Sequence, residues 1–488
     1  MFARNLSWFA ARAYVPAAWR GQTAALVTAL LLPACATLSP DGGMSVPADI
    51  AAQQLRKDVV ALRSDEDADA ASTRVATLLK PPLTVDSAVQ IALLNNRGLQ
   101  AAYNELGIAD AVRMRQSLPP NPSISISRLS SAAEIELDRQ IVGSILALAT
   151  LPARTEIAND RFHQAQLSAA LETLRVAAEA RRAFYRSVAA RQLVALLSQA
   201  GSATQISADL AKRLGASGAM NKLDQARQQV LHADLAAELG RARQRETAER
   251  ERLVRALGLS GPAAFKLPSA LPALPRRALA LPAIEQEAME RRIDLQIARG
   301  ELDALAKAYG LTKATRFVNV LEAGYADKIT RTRDTGERAF SRGFTLTLEV
   351  PIFDFGAARL QEAEQTYMQA VNRLAQKAVN ARSQAREAYR SYRLSYDIAA
   401  RYQREVLPLR KIISDEMMLR YGAMQIDVFA LLTEARQKIT ANIAAVEAQR
   451  DFWLASADLA AAVDGSADST TEQKTSPAAR ASDDAGGH

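Results

Sequence analysis

Apolar and polar positions along this chain switch between two periods. From Thr84 to Ser117, Val85 and Ala88 are followed by Ile91, Ala92 and Asn95, a stripe at helical spacing, and Thr84-Val-Asp-Ser87 supplies capping chemistry at its start. Pro282 to Lys313 reads the same way. Further on the period becomes two: Phe344, Leu346, Leu348, Val350 and Ile352 alternate with Thr345, Thr347, Glu349 and Pro351. This predicts a strand with one apolar and one polar face. Its partner is expected over Arg316 to Tyr325, across a hydrophilic loop containing Asp334-Thr-Gly336. In the first half, Pro122 to Ser127 and Glu134 to Asp138 alternate over shorter lengths, while Ile141 to Leu151 fits either more strand or a helix lead-in.

Each strand region runs into a very long helical pattern. Ala153 to about Ser202 contains no proline, and roughly fifty helical residues would reach about 75 Å. Leu167, Leu171, Leu174, Ala178, Tyr185 and Val188 mark a narrow seam at mixed three and four spacings, as in coiled-coil packing. A reversal near Leu214-Gly-Ala-Ser-Gly-Ala-Met220 is followed by a return from Leu223 to about Leu257. In the second half, helix from Ala357 to about Leu407 is broken locally by Pro408, continues to Arg420, turns near Tyr421-Gly-Ala-Met424 and returns to Val463. Gly218-Ala-Met220 and Gly422-Ala-Met424 lie 204 residues apart, and Arg154 and Ala158 lie 205 before Arg359 and Ala363. The shared order of elements points to an internal duplication. The expected organisation is a first repeat over 83–260, a connector over 261–281 whose prolines exclude helix, and a second repeat over 282–463. The tail, 464–488, lacks hydrophobic periodicity and is expected to be disordered.

Composition narrows the chemistry. Among 488 residues, 22 Gly and 18 Pro are few for a chain so rich in Ala, Leu, Arg, Gln and Glu, which suits long helices better than an α/β enzyme. One Cys excludes a disulfide scaffold, and His163, His232 and His488 show no ligand spacing. Gly-x-Ser-x-Gly is absent as well, so no catalytic residue, metal site or cofactor is expected, and a lipid-anchored hydrolase lacks its nucleophile and base. Of the net charge of +8, three come from Arg4, Arg12 and Arg20, which leaves +5 on the remainder. Elsewhere the bases are interleaved with acids, as in Arg241 to Arg252, the pattern of a solvated helix face and not of a nucleic-acid surface.

Those three arginines precede an uncharged run from Thr23 to Ala34, long enough for a signal peptide and too short to span a bilayer. Residues 1–34 are therefore expected to be removed. Leu32-Pro-Ala-Cys35 resembles the lipobox of bacterial lipoproteins, which implies that Cys35 is lipidated, with palmitate as a test label, and becomes the first mature residue; Ala36 after it favours the outer membrane. Residues 35–82, with Pro40, Gly42, Gly43, Pro47 and the acidic Ser64 to Asp69, read as a tether. No other run of about eighteen apolar residues occurs, so any crossing of a bilayer must use strands, for which nine to eleven residues suffice.

At this point the chain resembles a known family. Gly343-Phe-Thr-Leu-Thr-Leu-Glu-Val-Pro-Ile-Phe-Asp-Phe-Gly-Ala-Ala-Arg359, the turn and return Gly218 to Gln228, its repeat Tyr421 to Gln437, and Leu118-Pro-Pro-Asn-Pro122 are similar to the TolC family of outer-membrane efflux factors, in its lipoprotein branch. The likeness covers about Leu83 to Val463. The first-half junction, Leu148 to Arg154, lacks the Phe-Asp-Gly core, and Asp224 lies six residues after Gly218 where Asp427 lies five after Gly422.

The resemblance implies a mainly α fold with a small transmembrane β part: long antiparallel coiled-coil helices forming an α-barrel, and four strands per chain contributing to a twelve-stranded β-barrel in a homotrimer. Two open sheet edges that lipid cannot satisfy give a physical reason for three copies. It also implies a passive duct in the outer membrane, with a large periplasmic part and partnered by a periplasmic adaptor and an inner-membrane pump. Pro351, Asp354, Gly356 and Arg359 would form the strand-to-helix junction. Gly215, Gly218 and Gly422 would face the adaptor at the hairpin tips, or simply terminate helices in the left-handed conformation. Asp224 and Asp427 would line a gate, or lie on a solvated helix face. A periplasmic coiled-coil adaptor or a structural lipoprotein without a channel is the alternative, but neither needs the strand at Phe344 to Ile352. The cargo stays open.

Overall fold

The computed structural model describes residues 37–260, 265–426 and 428–467. The expected leader over 1–34, Cys35, Asp427 and the tail from 468 onward lie outside the described residues. Helices α1 (Ser45–Ile50, prolonged by a π-turn over Ala51–Leu55), α2 (Asp65–Leu79), α3 (Val85–Asn95) and α4 (Arg97–Ser117) precede strands β1 (Ser123–Ser130) and β2 (Glu134–Ser144). Helices α5 (Ile145–Ala149), α6 (Leu151–Ala216) and α7 (Lys222–Ala256) follow. The second half repeats the plan: α8 (Ile284–Arg291), α9 (Ile293–Ala314), β3 (Val320–Thr332), β4 (Arg338–Glu349), α10 (Ala357–Arg401), a π-helical stretch Tyr402–Val406, α11 (Leu407–Gly422) and α12 (Val428–Asp464). The chain folds as two units, and each half gives one β-hairpin to the first and its helices mainly to the second.

The sheet unit, built chiefly from 111–158 and 315–355, is a four-stranded antiparallel sheet in the order β1-β2-β3-β4. All four strands differ in extent from the sequence expectation, and β1 does so by running on to Ser130. Strand β2 runs on to Ser144, whose hydroxyl then accepts from the Ala147 amide at 3.3 Å to cap α5, so Ile141 to Leu151 is strand first and helix afterwards. Strand β3 lies later than Arg316 to Tyr325 because Asp327 and Lys328 hide its alternation. Each finds a cross-strand partner, Arg139 for Asp327 and Glu136 for Lys328 at 2.9 Å. Strand β4 begins earlier, at Arg338, and ends at Glu349.

The helical unit comprises 40–110, 159–314 and 356–467 among the described residues. Capping boxes at Ser64–Asp67 and Thr84–Ser87 start α2 and α3. The stretch expected as a tether is thus folded: Ala51, Leu55 and Val75 are buried. The extended backbone between α1 and α2 is held by two glutamines. The Gln90 amide donates to the Asp58 carbonyl at 2.8 Å, and the Gln100 amide to the Val60 carbonyl at 2.9 Å, replacing a strand neighbour.

Two hydrophobic clusters hold this unit. The first joins Leu83, Ile91, Leu94 and Leu99 to Phe184 of α6, Leu253 of α7 and Ile293 of α9, and it contains the seam residues Leu167, Leu174, Tyr185 and Val188. The second gathers Tyr392 and Tyr396 of α10 around Phe452 and Leu459 of α12. Trp453 touches both, stacked on Tyr185 with ring centres 5.3 Å apart and edge-on to Phe452 at 5.1 Å. The proline-rich connector is pinned along this core: the Leu83 amide donates to the Lys266 carbonyl at 2.8 Å, the Trp453 indole to Pro272 at 3.0 Å and the Tyr396 hydroxyl to Pro275 at 3.1 Å.

Helix α6 has 66 residues, about 100 Å of rise, and passes through Gly201 without a break. One glycine costs a helix interior about 1 kcal/mol, too little to end one that is packed on both sides of it. The stretches of 45, 5 and 16 residues from Ala357 to Gly422 equal α6 in length. Pro408 does not interrupt this run; the π-turn ahead of it absorbs the missing donor by changing the hydrogen-bond register.

Buried charge ties elements together. Arg182 of α6 bonds Glu179 at 3.1 Å and Asp458 of α12 at 3.0 Å. Arg292, between α8 and α9, pairs with Asp294 at 2.8 Å and donates to Gln384 of α10 at 3.0 Å and to the Ala462 carbonyl of α12 at 3.1 Å. Close by in sequence, burial pushes the Asp464 carboxyl up to about 6, although Arg291 and Arg181 pull it down. The folded state therefore favours the protonated acid, and stability is full below the unfolded value of 3.8 and falls as pH rises through about 6. Asp464→Asn should remove roughly 2–3 kcal/mol of this pH dependence. Thermal melts should match wild type at pH 4 and exceed it at pH 8.

Candidate functional site

The register of the sheet sorts its side chains into two faces. Directly opposed residues of antiparallel strands share a face, so Ile124, Ile141, Tyr325 and Phe344 form one row across all four strands. Gly143, Ala323 and Leu346 make the next row towards the helices, and Leu321 and Leu348 the one beyond. The Tyr325 and Phe344 rings meet edge-on at 5.5 Å, and Phe344 is 89% exposed. Rows on the opposite face read Ser125, Gln140, Ala326, Gly343 and then Ser127, Asp138, Lys328, Ser341. One face is thus apolar over its helix-proximal half and the other mainly polar, with Leu129, Val142 and Val320 as its large apolar members, the alternation of a sheet standing between lipid and water.

Charge follows the same division. All twelve ionisable acids and bases other than tyrosine in the strands can be assigned by register. The polar face carries Glu134, Glu136, Asp138, Glu322 and Glu349 against Lys328; the apolar face carries Arg128, Arg139, Arg331, Arg338 and Arg342 against Asp327. Reading single strands could not show this, because the pairing of β2 with β3 joins residues almost two hundred positions apart. The thirteen residues of β3 extend about 44 Å, or about 33 Å vertically at a tilt of about 40°, enough for a bilayer's hydrocarbon. Aromatic rings stand at both ends, Phe340 near the loops and Phe317, Phe353 and Phe355 near the helices, all more than half exposed.

The junction after β4 is a tight turn. The Phe355 amide donates to the Pro351 carbonyl at 2.7 Å, and Phe355 and Gly356 both take left-handed backbone, with φ of 48° and 71°. Gly356 is the N-cap of α10 and is the residue that such a conformation favours. Asp354 lies exposed in the turn and Arg359 exposed in the first helical turn.

At the first helical tip, Gly218 is left-handed (φ 75°), and a side chain there would meet open space. Gly215 is different: a Cβ there would meet the end of the Gln225 side chain at 2.7 Å, which would have to swing aside. Asp224 is the third residue of α7. Its carboxylate accepts from the Asn221 amide group at 2.6 Å and pairs with Arg227 at 3.5 Å, while the Asn221 side chain caps the Asp224 amide at 2.9 Å. Asn221→Ala should cost about 1 kcal/mol at this cap, read as faster amide exchange in the first turn of α7. At the second tip Gly422 ends α11, and the left-handed residue is Met424 (φ 52°), 93% exposed. Among the described residues, no group of three His, Cys, Asp or Glu side chains is placed to hold a metal ion, and no helix is long and apolar enough to cross a membrane.

A four-stranded sheet with segregated faces, reached by helices of 66 residues, has counterparts among known proteins. Residues 284–412 match the family model described as outer membrane efflux protein. The solved structures of CusC, concerned with transmembrane channel formation, superpose with a TM-score of 0.66 at 17% identity over 78% of this chain and 92% of theirs. The fold is that of the TolC-family outer-membrane channels. The outer-membrane channel OprN (TM-score 0.63, 19% identity, 89% and 97% covered) and the CmeC channel of Campylobacter jejuni (0.64, 15%, 79% and 86%) have the same fold. A relative in Cupriavidus metallidurans, named cobalt-zinc-cadmium resistance protein CzcC, is 24% identical over 289 residues, 58% of this chain. The match spans 66% of that relative's length, just under two thirds. The resemblance read from the junction motif holds for the fold and for residues 284–412, as does the mainly helical class with a small sheet.

Proposed function

We propose that this chain is the outer-membrane channel component of a tripartite efflux system, a passive duct supplied by a periplasmic adaptor and an inner-membrane pump. The observation that carries the reading is the sheet: an apolar face, a polar face, and edge strands β1 and β4 that each pair on one side only. Exposed backbone donors and acceptors cannot remain unpaired in hydrocarbon, so β4 of one copy pairs with β1 of the next until three copies close a twelve-stranded barrel. The polar face then lines the lumen, and the long helices form the periplasmic tunnel. A coiled-coil adaptor or structural lipoprotein has no use for such a sheet. Residues 1–34 serve as the leader and Cys35 as the lipid anchor. The hairpin tips around Gly218 and Gly422 face the adaptor, and Asp224 and Asp427 line the narrow end.

Five acids against one lysine on the lumenal face favour cationic cargo. The relative named for cobalt, zinc and cadmium supplies the ions to try first. Detergent-extracted protein should migrate as a heat-sensitive trimer, and planar-bilayer currents should be cation-selective, with E136Q/D138N lowering the selectivity. A monomer without conductance would sink the reading. Labelling with radioactive palmitate that persists in Cys35→Ala would sink the anchor alone.

A further inference from the structure

We infer that the five arginines on the apolar face of the sheet form a collar that binds the phosphate groups of outer-leaflet lipid. The inference rests on the channel reading, which turns this face towards lipid. Arginine occurs only in the three rows nearest the hairpin loops: Arg139 and Arg342 on either side of Asp327, Arg128 opposite Leu137 in the row that ends on Phe340, and Arg331 opposite Arg338. The rows towards the helices hold Phe344, Tyr325, Leu346, Leu348 and their neighbours without a charge. Every strand contributes at least one arginine, so closure by three copies makes the collar continuous.

Chance placement on a lipid-facing surface is disfavoured, because a lone cation there becomes costly with depth and tolerable only at headgroup level. Asp327, directly opposite both Arg139 and Arg342, pairs with Arg139; it is the single acid against five arginines on this face of the strands. All five are exposed, and Arg342 lies over the Phe340 ring at 5.7 Å, an aromatic at the height expected for an interface girdle. Guanidinium groups at headgroup depth match phosphate bidentately, and a phosphorylated lipid brings both the anion and acyl chains to cover the apolar rows below. The occupant is therefore the phosphorylated headgroup of a membrane lipid and not free phosphate. The lumenal face, with the opposite charge balance, serves as internal control.

The test is native mass spectrometry of the full-length trimer in detergent, offered lipid A with two phosphates, the same lipid dephosphorylated, or inorganic phosphate as competitor. Wild type should retain the phosphorylated lipid at least tenfold better than the dephosphorylated one, since each arginine near a charged surface is worth about fivefold. R331Q/R338Q/R342Q should lose that preference while remaining trimeric, and E134Q/E136Q should keep it. Equal retention of both lipids, an unchanged preference in the triple variant, or displacement by millimolar inorganic phosphate would overturn the collar. A chain that stays monomeric would overturn it too, but by removing the channel reading beneath it, and the two failures are told apart by the trimer mass.

Discussion

Leu346→Arg is expected to abolish the heat-sensitive trimer, whereas Thr345→Arg, one residue earlier, should leave it intact. Leu346 shares the apolar face with Ala323 and Gly143, and Thr345 the polar face with Gly324. Arginine on the lipid face costs about 2–4 kcal/mol near the bilayer centre, and three copies multiply that cost. Arginine in the lumen stays in water opposite a glycine, where there is room for it. Gel migration with and without heating, on outer-membrane fractions, separates the two variants. Reversed behaviour would mean that the faces are assigned to the wrong solvents, and equal behaviour that the sheet does not stand between lipid and water.

Phe452→Ala should destabilise the helical unit by about 3–5 kcal/mol. Its ring is 1% exposed and meets Tyr392 at 5.4 Å, Tyr396 at 5.7 Å and Trp453 at 5.1 Å. Those tyrosines also carry hydroxyls that bond the connector, at the Leu279 amide and the Pro275 carbonyl, so the cavity loosens the crossing between the halves as well as the helices. Thermal unfolding followed by helical circular dichroism should shift down for Phe452→Ala and stay unchanged for Phe344→Ala, whose ring is 89% exposed within the chain. A similar melting point for both would show that the second cluster does not hold α10 to α12.

Elements with one dominant period were legible from the residues. Strand β4, the capping box at Thr84 and the seam from Leu167 to Val188 each announce themselves within a dozen or two residues, and the junction motif from Gly343 to Arg359 pointed to the fold. Strand β3 was placed too early because Asp327 and Lys328 look unfavourable until their partners on β2 are known. The run through Pro408 was drawn broken, because local propensity weighs a proline without the packing that overrides it. Met424 in the left-handed position was likewise unforeseen, since the neighbouring Gly422 is the residue that preference alone selects.

By itself, then, the sequence determined where the long helices run, roughly where the four strands lie, that β4 has a wet and a dry side, and that the plan occurs twice, because these depend on spacings within one segment. Only the tertiary structure decided which strands are neighbours and which charges share a face. Pairing of β2 with β3 is a contact across nearly two hundred residues, and a shift of one residue in its register would have put the arginines of β3 and β4 on the opposite side of the sheet from those of β1 and β2 and broken the collar.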